Sequence, residues 1–341
     1  MNNKQDRITK YLSMLNMGML FDELSDDYLK SADVLDILKA VPVPVAMDEN
    51  GNMTTLSIAL AMARVIGGDP NYPYSEQYLR YIDRITGDNT VPFLVAEGAH
   101  SADAGNYEEA CMYLRAALDS DPKSRDALYL YGRACKGAYE AASAVNEGDA
   151  EAVGNMASSD ESYVGSFKAE SIEAFELLTV LHPKFAMGYY FLGYSYLNLG
   201  LYTKAVLTWK EFMELIEDED TGENKDELKQ EIEERLNSLE EPVMIEQAVN
   251  RILAGDYQGG KATLDNYREG RYSGWWPLWF YLGISEAAMN DTESAIKDFK
   301  QALIYSPSNI EVMQELVAIY EALGDTVNAE KYRKKIEIVS E

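Results

Sequence analysis

The chain has 341 residues, room for about two domains or one long repeat array. Hydrophobic residues make up 47% of it, enough for a sizeable core and too many for a disordered chain. Against 30 Lys and Arg stand 58 Asp and Glu, a formal charge of −28. That field repels phosphate backbones and anionic lipid surfaces, and it argues against a general nucleic-acid or membrane-surface binder.

Taken in chain order, helices are predicted over 6–23 and 26–40. The segment VPVPVAMDENGNM that follows reads as extended, then turn-like at Asn50-Gly51. Residues 56–66 and 75–85 suit a degenerate helical hairpin, with Gly67, Gly68 and Pro70 between them. Residues 1–52 thus read as an N-terminal helical cap or small subdomain, and 53–341 as a repeat array.

The array declares itself through spacing. Tyr189, Leu192, Gly193 and Tyr196 recur at helical intervals, Gly200 breaks the helix, and Ala205, Trp209 and Phe212 carry a second one. Gly98 and Gly132 lie 34 residues apart, as do Gly283 and Val317, and Gly193 follows Gly132 by 34 plus an insertion of 27. In one unit Leu94, Gly98, Ala110, Leu114, Ala117 and Pro122 occupy the recurring places. In another these are Trp279, Leu282, Gly283, Ala295, Phe299, Ala302 and Pro307, and in the last Met313, Leu316, Tyr320, Gly324 and Ala329.

This pattern resembles the tetratricopeptide repeat (TPR) family over about residues 91–339. The resemblance implies an all-α fold, an alpha-alpha superhelix of stacked antiparallel hairpins, here with an N-terminal helical extension. Small residues such as Gly98, Gly132 and Ala110 would let paired helices approach, while prolines 122, 183 and 307 end helices. The basic final helix, with Lys331, Arg333, Lys334 and Lys335, suits a terminal position with nothing stacked outside it.

Two stretches interrupt the register. An insertion near 144–165 reads as a lengthened or extra helix followed by a Ser/Asp/Gly loop. Residues 217–241 carry twelve acids against three bases, as an acidic loop and then a helix striped by Leu228, Ile232, Leu236 and Leu239. A further unit runs from Pro242 to about Gly274, with Ile245, Val249 and Ile252 on its first helix.

Catalytic chemistry finds little support. GDYQGGKA at 255–262 has phosphate-loop spacing, but Ala262 replaces the required hydroxyl and a helix precedes it. DENGN at 48–52 is only loosely like a calcium loop and lacks the closing glutamate. His100 and His182 fall in different units, and His182 suits a helix-terminal cap. Cys111 and Cys135 lie on adjacent hairpins and read as buried reduced thiols, with no Cys-x-x-Cys pair present. Asp22, Glu23, Asp26 and Asp27 interrupt the early Met/Leu run, so neither a signal peptide nor a membrane span is expected. A cytoplasmic location without cofactor or metal is the expectation.

In the TPR family the first helices of successive hairpins line a concave groove that takes a peptide or partner helix. The matching positions here are Tyr129, Arg133 and Lys136, then Tyr190, Tyr194 and Asn198, then Phe280. The family's carboxylate clamp uses lysines and asparagines where this chain has Val95, Ala99, Tyr190 and Tyr194, a departure that argues against such a clamp. An aromatic groove suits an apolar or amphipathic protein segment instead. The same rings also suit packing, in a chain with 24 tyrosines. The leading reading is therefore a protein–protein interaction scaffold or adaptor without catalysis, with a homo-oligomer compatible. A regulatory sensor using the N-terminal region for effector binding stands second. An enzyme with its site between that region and the array stands third.

Overall fold

The computed structural model describes residues 6–47, 51–147, 161–217 and 224–340. Its chain divides into two compact units, Met1–Ser195 with Lys210–Thr221, and Tyr196–Trp209 with Gly222–Glu341. In each, antiparallel α-helical hairpins stack in the manner the repeat pattern implies.

The first unit opens with short elements: α1 (Thr9–Leu12), a 3-10 turn (Ser13–Asn16), β1 (Phe21–Glu23), α2 (Asp26–Ser31), α3 (Leu35–Leu38) and β2 (Pro42–Pro44). The helices predicted over 6–23 and 26–40 are therefore broken. Gly18 takes φ +89°, and beyond it the chain extends into β1, which pairs antiparallel with β2. Asp33 takes a left-handed φ of 56° between α2 and α3. That conformation is stabilised by Arg84, whose Nη1 donates to the Asp33 carbonyl at 2.7 Å. The short pieces are not adrift. Leu29, Ile37, Leu38 and Val43 share a core with Ile58, Met62, Tyr78 and Tyr81, while Ile8 and Leu12 pack with Leu114, Tyr131 and Phe167.

The hairpins follow: α4 (Thr55–Gly68) with α5 (Ser75–Thr86), α6 (Thr90–Asp103) with α7 (Tyr107–Ser120), and α8 (Arg125–Glu147) with α9 (Glu161–Leu181). The small residues explain the pairing. A Cβ at Gly98 would lie 2.6 Å from Leu114 Cγ, and one at Gly132 would lie 2.7 Å from the Phe175 ring. Because Phe175 sits on α9, that helix is the partner of α8, and part of the inserted length is spent on extending both. The remainder of the insertion, 148–160, lies outside the described residues, as does the DEN of the calcium-like turn. Helices α7 and α9 each end two residues before a proline, at 122 and 183. After these come α10 (Ala186–Leu197) and α11 (Tyr202–Leu215), which the first unit holds up to Ser195 and from Lys210.

The second unit contains α12 (Lys225–Ser238), α13 (Glu240–Leu253), α14 (Tyr257–Leu264), α15 (Trp276–Ala288), α16 (Thr292–Tyr305), α17 (Ile310–Ala322) and α18 (Thr326–Ser340). Three of its inter-helix turns share one construction. Gly255, Asn290 and Gly324 take left-handed φ values of 91°, 64° and 72°. Each is followed by an aspartate, and Asp256, Asp291 and Asp325 accept backbone N–H bonds from Gly259, Ser294 and Asn328. GDYQGGKA is thus a repeat turn. Its Gly260 faces Ile252 and the Ala248 carbonyl closely, and Lys261 is ion-paired with Asp265 at 2.8 Å. Helix α12 buries Ile232, with Leu228 and Leu236 half-buried, as its apolar stripe predicts; the acidic loop ahead of it, 218–223, lies outside the described residues.

Candidate functional site

The positions expected to line a groove can be followed in each unit separately. In the first unit, α8 and α10 bring Tyr129, Arg133, Tyr190 and Tyr194 into an aromatic cluster organised by Phe191. Phe191 stacks on Phe175 at 5.4 Å, and the Tyr129 and Tyr190 rings meet it edge-on at 5.7 and 5.1 Å. Tyr190 also meets Tyr194 at 5.2 Å and Phe212 at 5.4 Å, so it is half-buried and partly a packing residue. Tyr129 packs edge-on against Phe185 at 5.2 Å.

Arg133 is the exposed member of the cluster. Its guanidinium carbon lies 5.4 Å from the Tyr129 ring centroid and 5.7 Å from that of Phe191. Among the described residues it forms no ion pair, and its side chain is exposed. Lys136, one turn along, is instead paired with Glu140. Together Arg133, Lys136, Glu140 and Phe191, with Ala99 and Asp103 of α6, line an opening of about 420 Å³. Three first helices of successive hairpins therefore meet at one concavity. Sequence reasoning missed Phe191 and Glu140. A Lys-to-Glu spacing of four was the available signal for Glu140, while Phe191 was hidden beside the more conspicuous Tyr190.

The last two expected positions are elsewhere. Asn198, at the exposed end beyond α10, belongs to the second unit. Phe280 is only 5% exposed and packs against Trp276, Tyr281 and Phe299. It is a core ring of the second unit, because the small residue at Gly283 draws Phe299 close and the neighbouring ring fills the same interface.

Other titratable groups are committed to structure. Arg268 clamps Asp298 and also reaches Glu286 at 3.1 Å, and Lys261 lies 3.5 Å from the same Glu286. Burial and the neighbouring Asp298 push the Glu286 carboxyl up to about 7. Cys111 and Cys135 are buried with their sulfurs 3.6 Å apart, and burial raises the Cys111 thiol well above its ordinary range. The His182 ring pairs with the Lys123 carbonyl at 2.7 Å. Among the described residues no group of three or more His, Cys, Asp or Glu is placed to hold a metal ion. Among the described residues no helix is long and apolar enough to cross a membrane.

A tetratricopeptide-repeat profile matches residues 96–152, which cover the second half of α6, all of α7 and α8. The chain carries a TPR segment. Solved structures similar to it include MamA, at 15% identity over 72% of this chain and 90% of that one, with a TM-score of 0.28. PilF of Pseudomonas aeruginosa is 12% identical over 74% and 92%, with a TM-score of 0.32. PilW, a type IV pilus biogenesis factor, is 13% identical over 73% and 92%, also at 0.32. No curated protein sequence matches the chain. A TPR-like stack of hairpins is an architecture typical of protein-interaction scaffolds.

Proposed function

We propose that the chain is a protein-interaction scaffold, and that the α6–α8–α10 face of its first unit holds a peptide or helix of a partner protein. The observation that carries this reading is Arg133. In a chain of net charge −28, an exposed guanidinium laid over two aromatic rings, with no carboxylate partner among the described residues, stands at the rim of a concavity. A partner segment with apolar side chains against Tyr129, Phe191 and Tyr194, and one acidic group toward Arg133, matches that chemistry.

The test begins with a partner captured from the source cell and identified by mass. Its binding is then titrated by calorimetry against Arg133→Glu and the Tyr190→Ala/Tyr194→Ala double variant, with thermal melts beside each. Arg133→Glu should weaken binding at least about tenfold while melting normally, since charge reversal at an exposed site leaves the core intact. The tyrosine pair should weaken it too, with some loss of stability from the Phe212 contact. Unchanged affinity in Arg133→Glu, with normal folding, removes this face from the interaction.

A second reading, effector binding by the N-terminal region, has one observation in its favour. An opening of about 600 Å³ is lined by Asp6, Arg7, Arg115, Tyr131 and Glu170, and the buried Arg115 Nη1 has no hydrogen-bond partner among the described residues. Such mixed charge suits a small zwitterion. A thermal-shift screen of free amino acids that moves no melt removes it.

A further inference from the structure

The N-terminal ribbon of the first unit carries an exposed apolar surface, anchored at one end where Phe21 stacks on Tyr72 at 6.2 Å. Met17 and Leu20 are 79% and 71% exposed, and Phe21 is 42% exposed, in consecutive or near-consecutive positions leading into β1. Exposed apolar clusters of this kind on a folded chain mark interaction sites.

The backbone beside them has an open edge. β1 pairs with β2 in the register Phe21↔Pro44, Asp22↔Val43 and Glu23↔Pro42, and Val45 N–H donates to the Leu20 carbonyl at 2.8 Å. Prolines have no N–H, so the pairs containing Pro44 and Pro42 must be the non-hydrogen-bonded ones, and Asp22↔Val43 the bonded one. It follows that the N–H and C=O of Phe21 point away from β2. The sheet has two strands among the described residues, so the outward N–H and C=O of Phe21 meet no third strand there, while the outward N–H of Glu23 is taken by the Asp22 carboxylate at 2.8 Å. An open edge of this kind is a template for strand addition.

Charge narrows what such a strand would be. Asp22, Glu23, Asp26 and Asp27 are all exposed around the edge, and among the described residues none of the four has an ion-pair partner. A second copy of this chain pairing edge to edge would set these carboxylates against one another, which opposes self-association. We propose that the outer edge of β1 takes an extended segment of a partner protein as a third strand, a segment alternating apolar residues with Lys or Arg. Its backbone bonds Phe21, its apolar side chains cover Leu20, Phe21 and Met17, and its cations meet the four carboxylates.

The probe is a synthetic peptide of alternating Lys and Val, seven residues long and capped at both ends, with two controls. One control replaces Lys by Glu. The other keeps Lys and replaces Val by Pro, preserving charge but removing strand-forming N–H groups. Amide hydrogen exchange on the full chain reads the site directly. The Lys/Val peptide should slow exchange in residues 17–24, the Phe21 amide at least about tenfold, while both controls leave that segment unchanged. Met17→Ser with Leu20→Ser should weaken peptide binding at least about tenfold without moving the thermal melt, because both side chains are more than two-thirds exposed. Arg133→Glu should leave this binding intact, which separates it from the helical face proposed above. The inference is overturned if the Phe21 amide is already protected in the free protein, or if the Lys/Pro peptide protects residues 17–24 equally. It is overturned as well if the Lys/Val peptide protects only other segments, if the serine variant binds it undiminished, or if residues 17–24 gain protection through dimerisation.

Discussion

Arg268 grips Asp298 with both arms of its guanidinium: Nη1 donates to Oδ1 at 2.9 Å and Nη2 to Oδ2 at 2.6 Å. The carboxylate lies on α16 and is 2% exposed at its side chain, so the pair ties the segment after α14 to the hairpin that follows it. Arg268 also lies over the Trp279 ring, 5.4 Å from its centroid. Removing the arginine leaves Asp298 and Glu286 buried with only Lys261 for compensation. Arg268→Ala should therefore cost about 3–5 kcal/mol, measured by denaturant unfolding. Arg268→Lys should recover only part of that, because a single ammonium cannot reproduce the fork.

Glu286 makes the same region sensitive to pH. Burial first, and then the Asp298 carboxylate, push its carboxyl from 4.5 to about 7, against the pull of Arg268 and Lys261. The folded chain therefore holds a proton there that the unfolded chain releases. The corresponding stability is full below about pH 4.5 and is lost as pH rises through about 7, roughly 3 kcal/mol in all. Glu286→Gln mimics the protonated acid and should flatten that part of the profile. Unfolding free energies of both proteins at pH 5 and pH 8 check it: the wild type should lose more than the variant over this interval.

Two glycines should respond in opposite directions. At Gly132 the Phe175 ring occupies the space a side chain needs, so Gly132→Leu should destabilise by about 1–3 kcal/mol or more. At Gly165 a Cβ meets nothing within 4 Å, inside helix α9. Gly165→Ala should then stabilise by about 0.5–1 kcal/mol through helix propensity alone. Thermal melts of the two variants beside the wild type decide both.

The thiols should be silent in the native state. Cys111 and Cys135 are each fully buried, and burial holds the Cys111 thiol protonated. Iodoacetamide at pH 8 should label neither within minutes and both after unfolding in guanidinium, as counted by intact mass.

Much of the hairpin stack was legible in the sequence because it rests on local rules repeated along the chain. Gly98, Gly132 and Gly283 each sit where a Cβ would strike the partner helix, and prolines 122, 183 and 307 each follow a helix end by two residues. The positions expected to face a groove, Tyr129, Arg133, Tyr190 and Tyr194, come from the same register, and in the first unit they lie in one aromatic cluster around Phe191.

What the tertiary structure alone decided lies where distant partners outweigh local preference. Residues 6–40 have helical composition, yet they break into short pieces because Arg84, fifty-one residues away, anchors the left-handed turn at Asp33 and because β1 finds a strand in Pro42–Pro44. Phe280 shares a repeat frame with exposed positions but is buried by Trp276 and Phe299, since a side chain's exposure depends on what the next hairpin sets against it. Burial of Glu286 beside Asp298 likewise has no sequence signature. Helical periodicity specifies which face a residue occupies, whereas the neighbour that covers that face comes from elsewhere in the chain.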